Sequence, residues 1–355
     1  MKLAELLQGI AAPRVSGDSS VDVTSVVADS RLVKPGALFV AIPGFQTDGT
    51  KFIQSAIAKG AAAIVAEGGG NWAGKGDASV VFVEVEDARA ALALVAANFY
   101  GRPAGHLSIV GVTGTSGKTT TTKMIESIFD ATGEAVGLIG TIEYRAGDER
   151  LVADRTTPDA VVLHDWFARM VKAGVRHAVM EVSSHALVLK RAFGVHFAAA
   201  VFTNLSRDHF DFHKDFDDYF GAKRILFDQI DRSKQTAVVN ADDPYGARLA
   251  GELGTSAMTF GRRGDIRPAD DFEISVHGLH GLIQTPQGPL RIESNLLGAP
   301  NLSNWLAAIG AALVVGIPKD QIERGIRNLE SVRGRFERVA AAGNGPTVII
   351  DYAHT

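Results

Sequence analysis

The chain has 355 residues, too many for a single compact core, so two or three domains are expected. It is 46% hydrophobic and 21% charged, with 36 basic against 40 acidic side chains and a formal net charge of −4. That composition suits a soluble globular protein, and it lacks the basic excess of a general nucleic-acid binder. There are no cysteines, which excludes disulfide frameworks, cysteine zinc sites and thiol nucleophiles and fits a reducing, cytoplasmic setting.

The opening, MKLAELLQGIAAP, spaces its apolar residues as an amphipathic helix and not as a signal peptide. Short apolar runs at Ala37 to Ile42, Ala62 to Ala66 and Val80 to Val85 predict strands, with helices at Phe52 to Ala58 and Ala88 to Phe99. This alternation gives a small α/β domain over residues 1–102, closed by the Gly-Pro cluster near Tyr100 to His106.

A second domain, residues 103–338, opens with a strand at Leu107 to Val112 and a helix from about Thr119 to Thr132. Further strands are expected at Ala178 to Val182, Ala198 to Thr203 and Ala237 to Asn240, with helices between them. That pattern implies a mostly parallel sheet with ligands at the carboxyl ends of its strands. Asp270 to Ile292 reads as an antiparallel excursion with turns at His277-Gly278 and Gln287-Gly288, followed by a helix from about Ser303 to Val315. The longest apolar run, Trp305 to Ile317, falls short of the roughly 20 residues that span a bilayer, so no membrane insertion is expected. A last strand at Thr347 to Ile350 leads into DYAHT, and residues 339–355 read as the first strand of a further, Rossmann-like domain.

Three motifs follow predicted strands. GVTGTSGKTT, Gly111 to Thr120, is a strand, a glycine-rich turn and a Lys-Thr pair opening a helix. Backbone N–H groups and the helix N-terminus there favour phosphate, Lys118 would reach the β- and γ-phosphates, and Thr119 would offer its hydroxyl to Mg²⁺. The loop is a variant, because Val112 stands where the strict pattern has its first glycine. MEVSSH, Met180 to His185, pairs serines with a histidine but lacks a nucleophile elbow's glycines, which leaves Ser183 and Ser184 as turn or cap residues. In TNLSRDHFDFH, His209, Asp211 and His213 alternate. In an extended chain they would share a face and could share a metal; the alternative is a polar loop of hydrogen-bonded histidines. Lys223, in YFGAKRILF, reads from the residues alone as an ordinary solvated lysine.

Taken in order, GVTGTSGKTTTT, TTPD, MEVSSHAL, FTNLSRDHFDFH, AKRILF, NADDP, GAPNLSNWLAA, GRFE and DYAHT resemble the Mur ligases, and VVADSRLVKPGALFVAIPGFQTDG resembles their nucleotide-sugar domain. The resemblance covers essentially the whole chain. It implies a small N-terminal α/β UDP-binding domain followed by a P-loop-type ATPase domain with a mostly parallel sheet. The implied activity is ATP-dependent addition of the third amino acid, meso-diaminopimelate or alternatively L-lysine, to UDP-N-acetylmuramoyl-L-alanyl-D-glutamate through an acyl phosphate. ATP and Mg²⁺ are the implied cofactors, the partners are small molecules, and the protein is expected as a cytoplasmic monomer.

Carried over by residue, Gly114, Thr115, Ser116, Gly117, Lys118, Thr119 and Thr120 would hold the ATP phosphates, with Asn301, Asn304, Arg335 and Asp351 also around ATP. Thr119, Glu181, His209 and a carbamylated Lys223 would ligate metal, and Lys118, Glu181, His209 and Lys223 would be the catalytic set. Ser30, Phe45, Gln46 and Thr47 would contact the uridine end, and Thr156, Thr157, Ser183 and Arg191 the muramoyl-dipeptide. Arg155 and Leu189 depart from the Asn and Gln of some members. The resemblance also implies a further domain with the amino-acid site, so this chain is expected to bind its substrates without turning over. Folylpolyglutamate and cyanophycin synthetases share the phosphate loop and lack the DSR segment; a non-catalytic scaffold would have no use for Lys118, Glu181, His209 and Lys223 together.

Overall fold

The structure is a computed structural model that describes residues 1–44, 48–68, 80–339 and 348–352. The chain forms two compact units, one from 1–106, 158–169 and 188–195 and the other from 107–157, 170–187 and 196–355. The architecture is the α/β class expected.

The first unit is a five-stranded sheet of β1 (Arg14–Ser16), β2 (Ser25–Val27), β3 (Ala37–Ala41), β4 (Ala63–Glu67) and β5 (Val81–Val85), in the order β1-β5-β4-β3-β2. Only the β1–β5 pair is antiparallel. Every residue of β3 is buried, as a strand covered on both faces requires. Leu38, Val40, Val65 and Val83 face α1 (Leu3–Leu6) and α3 (Ala88–Phe99), while Phe39, Ala41 and Ile64 face α2 (Ile53–Ala58). Asp87 caps α3 by accepting from Ala90 N–H at 2.8 Å. The N-terminal helix is only four residues long, shorter than its periodicity suggests.

The second unit is built on an eight-stranded sheet. Its strands are β6 (Ser108–Thr113), β7 (Val136–Ile139), β8 (Glu143–Ala146), β9 (Glu149–Val152), β10 (His177–Glu181), β11 (Ala199–Phe202), β12 (Ala237–Asn240) and β13 (Ala257–Phe260). The order is β13-β12-β11-β6-β10-β7-β8-β9, parallel from β13 to β7 and antiparallel beyond. The chain leaves central β6 toward β7 and β10 and then crosses to β11 on the other side. That reversal opens a crevice at the carboxyl ends of β6, β10 and β11.

One face of the sheet packs on α4 (Lys118–Asp130), α9 (Ala299–Val314) and α10 (Lys319–Asn328) through Met124, Ile128, Trp305, Ile309 and Ile322. The remaining helices are α5 (Ala160–Lys172), α6 (Ser184–Val188), α7 (Phe216–Arg224) and α8 (Pro244–Leu253). The antiparallel excursion forms as β14 (Arg267–Pro268), β15 (Glu273–Ser275), β16 (Gly278–Gln284) and β17 (Leu290–Ser294), with both expected turns in place. The last strand, β19 (Val348–Ile350), pairs antiparallel with β18 (Glu337–Val339). Among the described residues no helix is long and apolar enough to cross a membrane.

Candidate active site

A cleft of about 530 Å³ lies at the crevice, within the second unit. Its floor is the turn between β6 and α4. Gly114 (φ +145°) and Gly117 (φ +85°) hold backbone angles that side-chain-bearing residues avoid, and a Cβ on Gly114 would collide with Thr203 Oγ1. Gly111 is a different case and corrects the reading of the motif. It sits inside β6, where an added Cβ would lie 2.9 Å from the Phe197 ring, so it serves sheet packing and not the loop. The turn itself runs from Gly114 to Gly117, and Val112, where the strict pattern has its first glycine, is here a buried residue of β6.

The turn is tied to the segment after β11. Thr115 N–H donates to Asn204 O at 2.9 Å, Ser116 N–H to Asn204 Oδ1 at 2.9 Å, and Ser206 N–H to Thr115 Oγ1 at 3.0 Å. Lys118 folds over the turn, its Nζ donating to Gly114 O at 2.9 Å and Thr115 O at 2.7 Å. Burial pushes this amine below the ordinary lysine range, against the pull of Glu181 and Asp208.

Glu181 ends β10 and is 1% exposed, yet it reaches the cleft. Its Oε2 accepts from Thr119 Oγ1 at 2.9 Å and Thr141 Oγ1 at 3.1 Å, and its Oε1 from Thr141 N–H at 2.7 Å. Thr157 is buried behind it and donates from Oγ1 to Glu181 O at 2.8 Å. Thr156 and Ser183 line the same wall. Ser183 Oγ accepts from Ala186 N–H at 3.2 Å, the capping role its sequence context predicts, and Ser184 opens α6.

Lys223 overturns the reading made from the residues alone. It is 1% exposed, its Nζ donates to Gly114 O at 2.8 Å, and it sits 4.1 Å from the centroid of the Tyr219 ring. Burial and the neighbouring Lys118 charge hold this amine well below its ordinary range. Tyr219, one helical turn earlier on α7, places its hydroxyl 3.3 Å from Thr115 Oγ1.

The extended metal triad of His209, Asp211 and His213 does not form. His209 has φ +53°, and the N–H groups of Phe212 and His213 both donate to His209 O, so the segment turns. His209 lines the cleft beside Asp208, whereas His213 is buried, 3.0 Å from Ser184 Oγ and 3.4 Å from Asp218. Among the described residues, no three histidine or carboxylate side chains gather as a cage for a metal.

Asn301 and Asn304, on the first turns of α9, line the far wall, with Arg335 and Asp351 beside β18 and β19. Asp351 Oδ1 accepts from Phe336 N–H at 3.0 Å, and the Arg335 guanidinium lies 5.0 Å from the Tyr352 ring centroid. Ser30 and Arg191 belong to the first unit, where Ser30 O accepts from Lys59 Nζ at 2.8 Å. Phe45, Gln46 and Thr47 lie outside the described residues. Thr141, Asp208, Tyr219, Pro300, Phe336 and Tyr352 also line the cleft and were missed in the sequence. Asp208 lies within a motif already singled out and Tyr219 precedes Lys223 by four, so both had a signal; Thr141 had none.

Residues 112–312 match the family described as Mur ligase middle domain, and residues 22–100 match the one described as Mur ligase family, catalytic domain. The whole chain aligns at 39% identity with the UDP-N-acetylmuramoyl-L-alanyl-D-glutamate–2,6-diaminopimelate ligase of Geobacter metallireducens, over 70% of that protein. It aligns at 40% with the enzyme of the same name from Clostridium tetani, over 73% of its length. A solved structure of a ligase of that name superposes with a TM-score of 0.83 at 27% identity, covering 100% of this chain and 72% of that one.

Proposed function

The chain belongs to the Mur ligase family, and from that premise we propose that it is an ATP-dependent amide ligase adding meso-diaminopimelate to UDP-N-acetylmuramoyl-L-alanyl-D-glutamate, in cytoplasmic synthesis of peptidoglycan precursor. The observation that carries this reading is the meeting, in one cleft, of Lys118 and Thr119 at a helix N-terminus with Glu181 and the buried Lys223. The relatives named above supply the choice of amino acid.

The chemistry asks for such a site. A carboxylate resists attack by an amine until one oxygen becomes a leaving group, and phosphorylation by ATP makes it one. Bringing the carboxylate to the triphosphate sets anion against anion, so the site must supply positive charge and oriented donors. The α4 N-terminus and Lys118 would hold the β- and γ-phosphates, and Arg335 would add a cation at the same cleft. Asn301, Asn304 and Asp351 would hold the rest of the nucleotide. Thr156 and Ser183 would orient the muramoyl-dipeptide, while Thr157, buried with its hydroxyl bonded to Glu181 O and Ser183 N–H, would support that wall from behind. Once the acyl phosphate forms, attack by the incoming amine releases phosphate and leaves an amide.

The residues present fit Mg²⁺. The Thr119 hydroxyl and the Glu181 carboxylate supply the hard oxygen donors that an ion shared with nucleotide phosphates takes. Thr119 Oγ1 and Glu181, 2.9 Å apart, would hold it, with His209 and a carbamylated Lys223. When bound, it would offset phosphate charge. Lys223 is suited to carbamylation because only a neutral amine takes up CO₂, and burial favours the neutral amine.

Incubation with ATP, the UDP-sugar dipeptide and either meso-diaminopimelate or L-lysine tests the reading. Binding of ATP and the UDP-sugar dipeptide is expected. Lys118→Ala should weaken ATP at least tenfold and leave the UDP-sugar dipeptide within about threefold, since a lost charge-assisted contact to phosphate is worth roughly 1.5–3 kcal/mol. No affinity for either ligand would refute the proposal, and ADP release with L-lysine but not meso-diaminopimelate would refute both the choice of amino acid and the expectation that this chain binds without turning over.

A further inference from the structure

Glu181 and Thr156 are joined through one hydroxyl. Thr141 Oγ1 donates to Glu181 Oε2 at 3.1 Å and lies 3.0 Å from Thr156 Oγ1, while Thr141 N–H donates to Glu181 Oε1 at 2.7 Å. The register of the sheet makes this possible. β7 pairs with β10 up to Ile139 opposite Met180, so Glu181, the last residue of β10, meets Thr141, two residues beyond the end of β7. A Cβ on intervening Gly140 would lie 2.9 Å from Glu181 Oε1, so the approach also depends on that glycine.

Proton counting then fixes the direction of the chain of bonds. A hydroxyl has one proton, and a carboxylate only accepts. The Thr141 proton goes to Glu181, so the Thr141–Thr156 bond must use the Thr156 proton. Thr156 is left with acceptor lone pairs toward the cleft and no proton to give. Glu181 Oε2 is filled by Thr119 and Thr141, and Oε1 keeps one direction open.

We propose that Thr141 is a positioning residue that couples the nucleotide half of the cleft to the sugar-peptide half: it fixes the Glu181 carboxylate and turns Thr156 into a pure acceptor, which selects an N–H donor on the peptide-bearing substrate. The proposal rests on the ligase reading above.

The test uses the intact chain and two binding measurements without turnover: calorimetric titration of the UDP-sugar dipeptide, and paramagnetic resonance of Mn²⁺ with ADP. Thr141→Val keeps the shape and the N–H but removes the hydroxyl. It should weaken both ligands about tenfold, the scale of one hydrogen bond to a charged group. Thr141→Ser should restore both to within about threefold, which a loss of folding would not do. Thr156→Val should weaken the UDP-sugar dipeptide alone, and adding Thr141→Val to it should cost that ligand little more. Methylating the peptide N–H groups of the substrate should cost affinity in the parent and not in Thr156→Val. Unchanged Mn²⁺–ADP affinity in Thr141→Val, failure of the serine variant to restore it, multiplying losses in the double variant, or an equal methylation penalty in parent and Thr156→Val would each overturn the proposal. A parent that binds neither ligand sinks the ligase reading and this inference with it; a parent that binds both while Thr141→Val matches it sinks the inference alone.

Discussion

His164 is 1% exposed, and neither ring nitrogen has a hydrogen-bond partner among the described residues. Burial pushes its pKa down from 6.5 to about 4. An unfolded histidine takes a proton below pH 6.5, and the native one only below about 4. The unfolded chain therefore binds more protons in that window, and stability falls as pH drops through it. The slope from this one group approaches 1.4 kcal/mol per pH unit and sums to roughly 3 kcal/mol. His164→Leu should flatten the loss between pH 6.5 and 4 without lowering the urea midpoint at pH 8; an unchanged acid slope would count against it. The cleft shows the same divide between what residues declare and what burial decides. Lys118 and Thr119 could be read from the sequence because they belong to a local strand–turn sequence. Glu181 and Lys223 could not be read from physics, since nothing local singles out the carboxylate ending β10 or says which face of α7 turns inward; the family pattern pointed to both. Thr141 was hidden because its role depends on how β7 registers against β10, a pairing between distant stretches of chain.

Helix α7 shows how one element serves several tasks. Asp215 caps it by accepting from Asp218 N–H at 2.9 Å, acidic residues fill its first turn, and Arg224 stands in its last, as the helix dipole favours. Asp215→Ala should cost about 1 kcal/mol in urea unfolding. Because Tyr219 and Lys223 ride on this helix, the same variant should also weaken ATP binding; a stability loss with intact affinity would show the helix to be held by its packing alone. The phosphate turn is less tolerant. Gly114→Ala meets both a positive φ and the Thr203 side chain, so nucleotide binding should be lost, with a destabilisation of roughly 1–3 kcal/mol measurable by thermal melting. Most strands of the parallel sheet were legible as apolar runs. The hairpin β8–β9 was not, because β9 is exposed along its whole length and carries no alternation. At His209 the sequence left an extended metal face and a polar loop both open, because period-two spacing looks extended until a positive φ breaks it, and the structure takes the loop.

At the scale of the whole chain, nucleotide binding is a stability measurement. A ligand that binds only the native state at 100 times its Kd adds about 2.7 kcal/mol. Saturating MgADP should therefore raise the melting temperature and slow amide exchange in residues 114–120 and the start of α9. Lys118→Ala should abolish both effects, and uniform protection of both compact units would contradict a nucleotide site confined to the second. The α/β class and the mostly parallel order of the larger sheet were legible from alternation alone. The composition of the first unit was not, since segments 158–169 and 188–195 join it from far along the chain.

That discontinuity sets a timetable for synthesis. The apolar face formed by Leu38, Val65 and Val83 is completed by Ala160, which leaves the ribosome well after β5. At 5–20 residues per second the wait lasts roughly several seconds. During it, the nascent sheet keeps a partly open greasy surface, while the phosphate turn has already emerged. A nascent-chain arrest just before residue 158 should therefore capture chaperones that an arrest beyond residue 195 does not.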